Sequence, residues 1–207
     1  MNEVPLKIAA VVFPGFELLD LYGPLELFGL LKERVSLSIV AQETGLIASS
    51  QGPRTAVDVA LSEFGKPDIV LVPGGMGTRR EVNNAPLLEL LRELSKDARF
   101  VTSVCTGSAL LARAGILDGR KATSNKRAFD WVVSQGPNVD WVRDARWVED
   151  GRYFTSSGVS AGMDMSLGLI QHIWGAELCT QVAQWAEYHW NNDKTSDPFA
   201  ALNFPNS

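Results

Sequence analysis

From Phe100 to Ser108 the chain reads FVTSVCTGS, a short β-rich run that ends on a cysteine and restarts as a helical pattern to Ala114. A residue at such a strand-to-helix corner is held clear of the sheet, at the end where wound α/β folds bind ligands. Outward from this corner the same alternation repeats. Leu6 to Phe13 (LKIAAVVF) and Asp68 to Val72 (DIVLV) are nearly continuous apolar runs, as strands covered on both faces require. Val35 to Ala41 reads as a further strand. Helical spacing spans Phe16 to Leu31, with a kink or a fresh start expected at Gly23-Pro24, and recurs from about Asn84 to Leu94. Further helices are expected over Lys126 to Val133, capped by Asn125, then over Ala161 to Trp174 and Ala176 to Asn191. Two hairpins complete the pattern: Ile47–Ser50 with Thr55–Val59, and Trp141–Val148 with Tyr153–Ser156 around Asp150-Gly151. Strands alternating with helices specify an α/β domain with a mostly parallel central sheet. With no repeat or linker, residues 1–207 are expected to form one domain, 192–207 being an irregular tail with Phe199 and Phe204 as docking anchors.

Composition narrows the functional classes. Hydrophobic content of 45% and charged content of 21% are those of a globular chain, so disorder is excluded. Lys7, Glu17 and Asp20 interrupt the N-terminal apolar region, and no run reaches the ~18 apolar residues of a membrane span. That region also lacks a basic start and a small-residue cleavage site, so no secretory leader and a cytoplasmic location are expected. The net charge of -5 is spread along the chain, without the basic block that a nucleic-acid partner needs. Two cysteines and two histidines, His172 and His189, supply neither a disulfide framework nor a metal site. Six tryptophans (Trp131, Trp141, Trp147, Trp174, Trp185 and Trp190) exceed what a core of this size needs. Some are therefore expected at a contact surface, with pocket lining the competing use.

Three segments carry chemistry. Cys105 faces the start of the helix that follows it, and the positive end of that helix is expected to favour thiolate. Cys179, in AELCTQVAQWA, is by contrast an ordinary small core residue. Pro73-Gly74-Gly75-Met76-Gly77 follows a buried strand, and its glycines let backbone N–H groups approach a ligand. Without the Lys-Ser/Thr ending of a phosphate loop it disfavours nucleotides, and the Gly75 N–H is expected to meet the Thr106 N–H as an oxyanion hole. Asp20, set among leucines in ELLDLYGP, needs a polar partner, and the helix after a central first strand delivers it to the strand ends. Glu17 and Glu26 are the alternatives to Asp20, but read more as solvent-facing helix residues.

These segments (FPGFELLDLYGPLELF, DIVLVPGGMG, VTSVCTGSALLARAGILDGRKAT and TSSGVSAGMD) together resemble the ThiJ/PfpI superfamily over nearly the whole chain. The VCTGS corner, with Asp rather than Glu at position 20, is most similar to its isocyanide-hydratase branch. The resemblance implies a flavodoxin-like three-layer sandwich with a nucleophile elbow, a homodimer, and no metal or organic cofactor. It implies Cys105 as nucleophile, Asp20 as the adjacent carboxyl, and Gly75 and Thr106 as backbone donors, with Gly74 and Val159 beside them in substrate binding. Many relatives carry a histidine after the elbow, where this chain has Ala122-Thr123-Ser124-Asn125-Lys126. Asn125 can hydrogen-bond but cannot shuttle a proton at neutral pH, which argues against a Cys-His-acid protease.

Three functions fit these residues. An isocyanide hydratase would add the Cys105 thiolate to R–N≡C with Asp20 as acid and base, releasing an N-substituted formamide. A glyoxalase or deglycase would act on small 2-oxoaldehydes through a hemithioacetal. An oxidation sensor would convert Cys105 to sulfenic or sulfinic acid without catalysis. A DNA-binding domain, which a regulator branch of the superfamily carries, is not expected in a chain this short and acidic. A small-molecule substrate is the expected partner.

Overall fold

The computed structural model describes residues 4–202; Phe204 lies outside the described residues. The chain opens with β1 (Leu6–Val11), whose last four residues are buried, followed by α1 (Leu18–Gly29). Next come β2 (Val35–Ala41), the hairpin β3 (Gly45–Ala48) and β4 (Arg54–Val57), and the short β5 (Val59–Ala60). The wholly buried β6 (Ile69–Val72) leads to α2 (Thr78–Glu81) and α3 (Ala85–Lys96). Then β7 (Phe100–Ser103) turns into α4 (Gly107–Arg113). After β8 (Lys121–Ala122), α5 (Phe129–Gln135) and β9 (Asp140–Trp141), the chain forms β10 (Trp147–Asp150) and β11 (Tyr153–Ser156). Helices α6 (Ala161–Trp174) and α7 (Ala176–Trp185) close it.

The main sheet has the order β10-β11-β7-β6-β1-β2-β5. Every pairing in it is parallel except β10–β11, the hairpin turning at Gly151. Helices α1, α6 and α7 pack together as one layer and α3, α4 and α5 as another, giving a flavodoxin-like three-layer sandwich. Burial explains the sequence pattern: Ile8, Ala9, Ala10 and Val11 of β1 and Ile69, Val70, Leu71 and Val72 of β6 have no exposed surface. No described helix is long and apolar enough to cross a membrane.

Several boundaries differ from expectation, each for a local reason. Helix α1 runs through Pro24 without a break, since its other apolar residues still bury one face. The second hairpin strand splits, β4 pairing with β3 while β5 joins the main sheet beside β2. Expected strand 141–148 is interrupted between β9 and β10, because the Asp144 carbonyl accepts from, and the Arg146 N–H donates to, the C-terminal segment instead. Helix α5 begins three residues late, at Phe129, with Asn125 Oδ1 accepting the Ala128 N–H (3.1 Å) in the preceding turn. Helix α7 stops at Trp185, where Glu187 takes a left-handed conformation and the chain turns back across α6.

Five of the six tryptophans are buried or half-buried, and Trp185 alone is exposed. Most of the aromatic surplus therefore serves packing, as when Trp141 donates to the Gly136 carbonyl and Trp190 to that of Asp164. None of the six lines the cavity at the strand ends.

Candidate active site

The elbow at Cys105 is built by backbone constraint. Cys105 has φ +57, a left-handed conformation that costs a non-glycine residue roughly 1–2 kcal/mol. Its N–H donates to the carbonyls of Ser156 (3.2 Å) and Ser157 (3.1 Å), and its carbonyl accepts from the hydroxyls of Ser108 (3.1 Å) and Ser124 (2.8 Å). Four groups from three segments thus hold a conformation the residue would not choose alone. The adjacent Gly107 lets α4 start directly against β6.

Asp20, in the first turn of α1, is wholly buried. Its Oδ2 accepts the Gly74 N–H (2.9 Å), while Oδ1 has no conventional hydrogen-bond partner and the Cys105 thiol lies within reach of the carboxyl. Burial raises the carboxyl from its ordinary value to about 7, against the opposing pull of the Gly74 N–H. Burial, and after it the Asp20 charge, also push the Cys105 thiol well above its ordinary range. Both effects oppose the expected thiolate: the helix start favours it by about 0.3–2 kcal/mol, while burial and the neighbouring carboxyl charge work against it.

The glycine loop does something other than expected. The Gly75 N–H is not a free oxyanion donor; it donates to Thr106 Oγ1 (3.0 Å), a hydroxyl also bonded by Thr78 Oγ1 (3.1 Å). Gly74 positions Asp20, and Gly75 positions Thr106. The N–H groups directed at the Cys105 sulfur come from Thr106 and Val159, and the Asn125 amide joins them. Val159 is itself left-handed (φ +44), which turns its N–H toward the elbow. Gly158 makes room for Asn125: a Cβ there would lie 2.4 Å from Nδ2. Because Asn125 Oδ1 is occupied by the Ala128 N–H, its Nδ2 is left as the donor.

These groups meet at a cavity of about 580 Å³ whose walls include Cys105, Thr106, Gly75, Asn125 and Val159. Glu17, read from sequence as solvent-facing, also lines it, as do Arg79, Lys126 and Phe199. Phe199, read from sequence as a docking anchor of the polar tail, arrives from 94 positions beyond Cys105; that it docks at this cavity is what the sequence does not mark. His172 lies elsewhere, paired with Glu149 (2.9 Å) and packed edge-on against Phe100 and Phe154, and His189 is exposed. Among the described residues no cluster of His, Cys, Asp or Glu is arranged to hold a metal ion.

A strained cysteine at a β7–α4 elbow, with a buried carboxyl from α1 beside it, coincides with a match to the DJ-1/PfpI family model over residues 6–172. The chain belongs to the DJ-1/PfpI family. Among its relatives is an isonitrile hydratase of Pseudomonas putida, 33% identical over 183 residues, covering 88% of this chain and 78% of the relative. A protein named as a deglycase from Pyrococcus abyssi is 33% identical over 153 residues, 73% of this chain and 87% of the relative. An HTH-type transcriptional regulator of Pseudomonas aeruginosa is 32% identical, but the match covers only 43% of its length. In structure, a ThiJ/PfpI family protein from Pseudomonas syringae superposes with a TM-score of 0.84 at 29% identity, covering 96% of this chain and 79% of that one. Drosophila melanogaster DJ-1beta shares the fold with a TM-score of 0.79 at 21% identity, covering 90% of this chain and all of that one. DJ-1/PfpI members named for quite different functions thus surround this chain, and the fold does not choose among them.

Proposed function

We propose that the protein is a cysteine-dependent isocyanide hydratase, a lyase that converts R–N≡C and water to an N-substituted formamide. The observation that carries this reading is the buried Asp20–Cys105 pair, with no histidine among the residues lining the cavity to assist it. As sulfur attacks the terminal isocyanide carbon, Asp20 takes the thiol proton and delivers it to that carbon, leaving the thioimidate R–N=CH–S–Cys105. The Asp20 carboxylate then removes a proton from water attacking the same carbon. Asp20 passes that proton to the imine nitrogen, then carries the remaining hydroxyl proton to the departing sulfur as the C–S bond breaks, and R–NH–CHO leaves with the thiol restored. The Thr106, Val159 and Asn125 N–H groups steady the sulfur while it carries charge. No amine is expelled, so one acid–base residue suffices.

Deglycase or glyoxalase action on 2-oxoaldehydes is the second reading, favoured by a relative of equal identity that carries the deglycase name. The deciding experiment incubates the protein with an aliphatic and an aryl isocyanide, and in parallel with methylglyoxal, following formamide and lactate by chromatography. Formamide is expected. Lactate without formamide would overturn the hydratase, and silence in both would leave a non-catalytic, oxidation-sensing role for Cys105. A homodimer acting on a small-molecule substrate in the cytoplasm, without cofactor or nucleic acid, completes the proposal.

A further inference from the structure

The C-terminal segment is fastened to the site rather than trailing from it. Beyond α7 the chain crosses Asp164 of α6, whose Oδ1 accepts from Tyr188 Oη (3.0 Å) and the Asn191 N–H (3.0 Å). The Lys194 carbonyl then accepts the Arg146 N–H (3.0 Å), and the Asp197 N–H donates to the Asp144 carbonyl (2.8 Å). Asp197 itself is buried between two cations, Lys126 Nζ at 3.8 Å and Arg146 Nη1 at 3.9 Å. A buried carboxylate is tolerated only where such charges meet it, so the segment has one strongly preferred seat.

That seat grips both loops that reach the sulfur. Lys126 directly follows Asn125, and its Nζ donates to Thr123 Oγ1 (2.9 Å) and the Ala145 carbonyl (2.6 Å). Arg146 pairs with Asp164 (2.6 Å) and donates to Ser160 (3.3 Å), the residue after Val159. Two residues past Asp197 comes Phe199, its N–H held by Asp197 Oδ1 (2.9 Å). Phe199 lines the cavity with Cys105 while 48% of the residue remains exposed. A phenyl group fixed by its backbone, yet half-open on a concave wall, is an unfilled apolar contact. The cavity of about 580 Å³ is also far larger than an isocyano group alone requires, and Val159 and Ala128 continue its apolar wall.

We propose that Phe199, seated by Asp197, is a specificity-determining residue that selects substrates whose R group is flat and apolar, such as aryl or benzyl, over short alkyl groups. This deepens the hydratase reading and rests on it for the chemistry, but the selection belongs to the cavity and can be tested without turnover. In Phe199→Ala, kcat/KM for benzyl isocyanide is expected to fall about tenfold, and that for methyl isocyanide to stay within about twofold. In parallel, the rates at which N-benzyliodoacetamide and iodoacetamide alkylate Cys105 are compared by mass spectrometry. Their ratio should fall by a similar factor in Phe199→Ala, and in the same direction in Asp197→Asn, where the seat is weakened but Phe199 remains. If isocyanides are not turned over while the alkylation ratio still falls, the selection stands and the hydratase reading alone fails. An unchanged alkylation ratio in Phe199→Ala, or an equal fall for both reagents, overturns the selection.

Discussion

At the scale of single residues, the two cysteines differ in what can reach them. Cys105 opens on the cavity, whereas Cys179 has no exposed surface, donates to the Leu167 carbonyl and has its thiol pushed up to about 11 by burial. Brief iodoacetamide treatment at pH 7 should therefore label Cys105 and spare Cys179, and equal labelling seen by mass spectrometry would refute the difference. The Asp20–Cys105 pair predicts a pH profile with a definite sign. Below about pH 7 the pair holds two protons and no thiolate can form; above it one proton is shared, and moving it to Asp20 frees the sulfur. The kcat/KM should thus rise as pH climbs through about 7. Asp20→Asn should lose that inflection in both turnover and Cys105 alkylation, and turn over isocyanide at least about a hundredfold more slowly. Wild-type turnover in the Asn variant would remove Asp20 from the mechanism. Stability carries the opposite sign: a carboxyl at about 7 when folded, against an ordinary 3.8, contributes fully below about pH 4 and loses that contribution as pH rises through 7. The melting temperature of Asp20→Asn should accordingly improve relative to wild type between pH 4 and 7.

At the scale of elements, the site depends on how closely α4 approaches the strand beside it. A Cβ at Gly107 would lie 2.2 Å from the Val72 carbonyl oxygen and 2.7 Å from that of Pro73, backbone atoms that cannot step aside. Gly107→Ala should cost about 2–4 kcal/mol, read as a lowered denaturation midpoint, with Cys105 displaced enough to slow its alkylation. A variant with unaltered stability would show that the helix can slide. The elements themselves were largely legible, because β1, β6 and β7 are buried on both faces and so spell continuous apolar runs. Less legible were the short strands β5, β8 and β9, two residues each and set by their neighbours. Asp20 and Cys105 stood out because their residue types conflict with their surroundings. The partner of the Gly75 N–H did not, since a side-chain hydroxyl on the next strand's elbow decides it. Nor did the thiol's proton affinity, which a helix start pulls one way and burial pushes the other.

At the scale of the whole molecule, a homodimer is expected from family membership more than from aromatic content, now that most tryptophans are seen to pack inward. Leu19, Tyr22, Leu46, Met76 and Trp185 are the larger apolar side chains left exposed for such a contact within residues 5–198. Light scattering at micromolar concentration should give twice the chain mass of 22.6 kDa, and a value equal to one chain would retire the dimer. The elbow also has a consequence for how the protein can change over generations. Glycine is the residue that the backbone at position 105 prefers, and cysteine codons lie a single base from those of glycine. A lineage released from the need for this chemistry therefore has a short mutational path toward relieved strain and an inert pocket. Folding stability pulls steadily away from the thiol, so its retention in a population would register continuing selection for use.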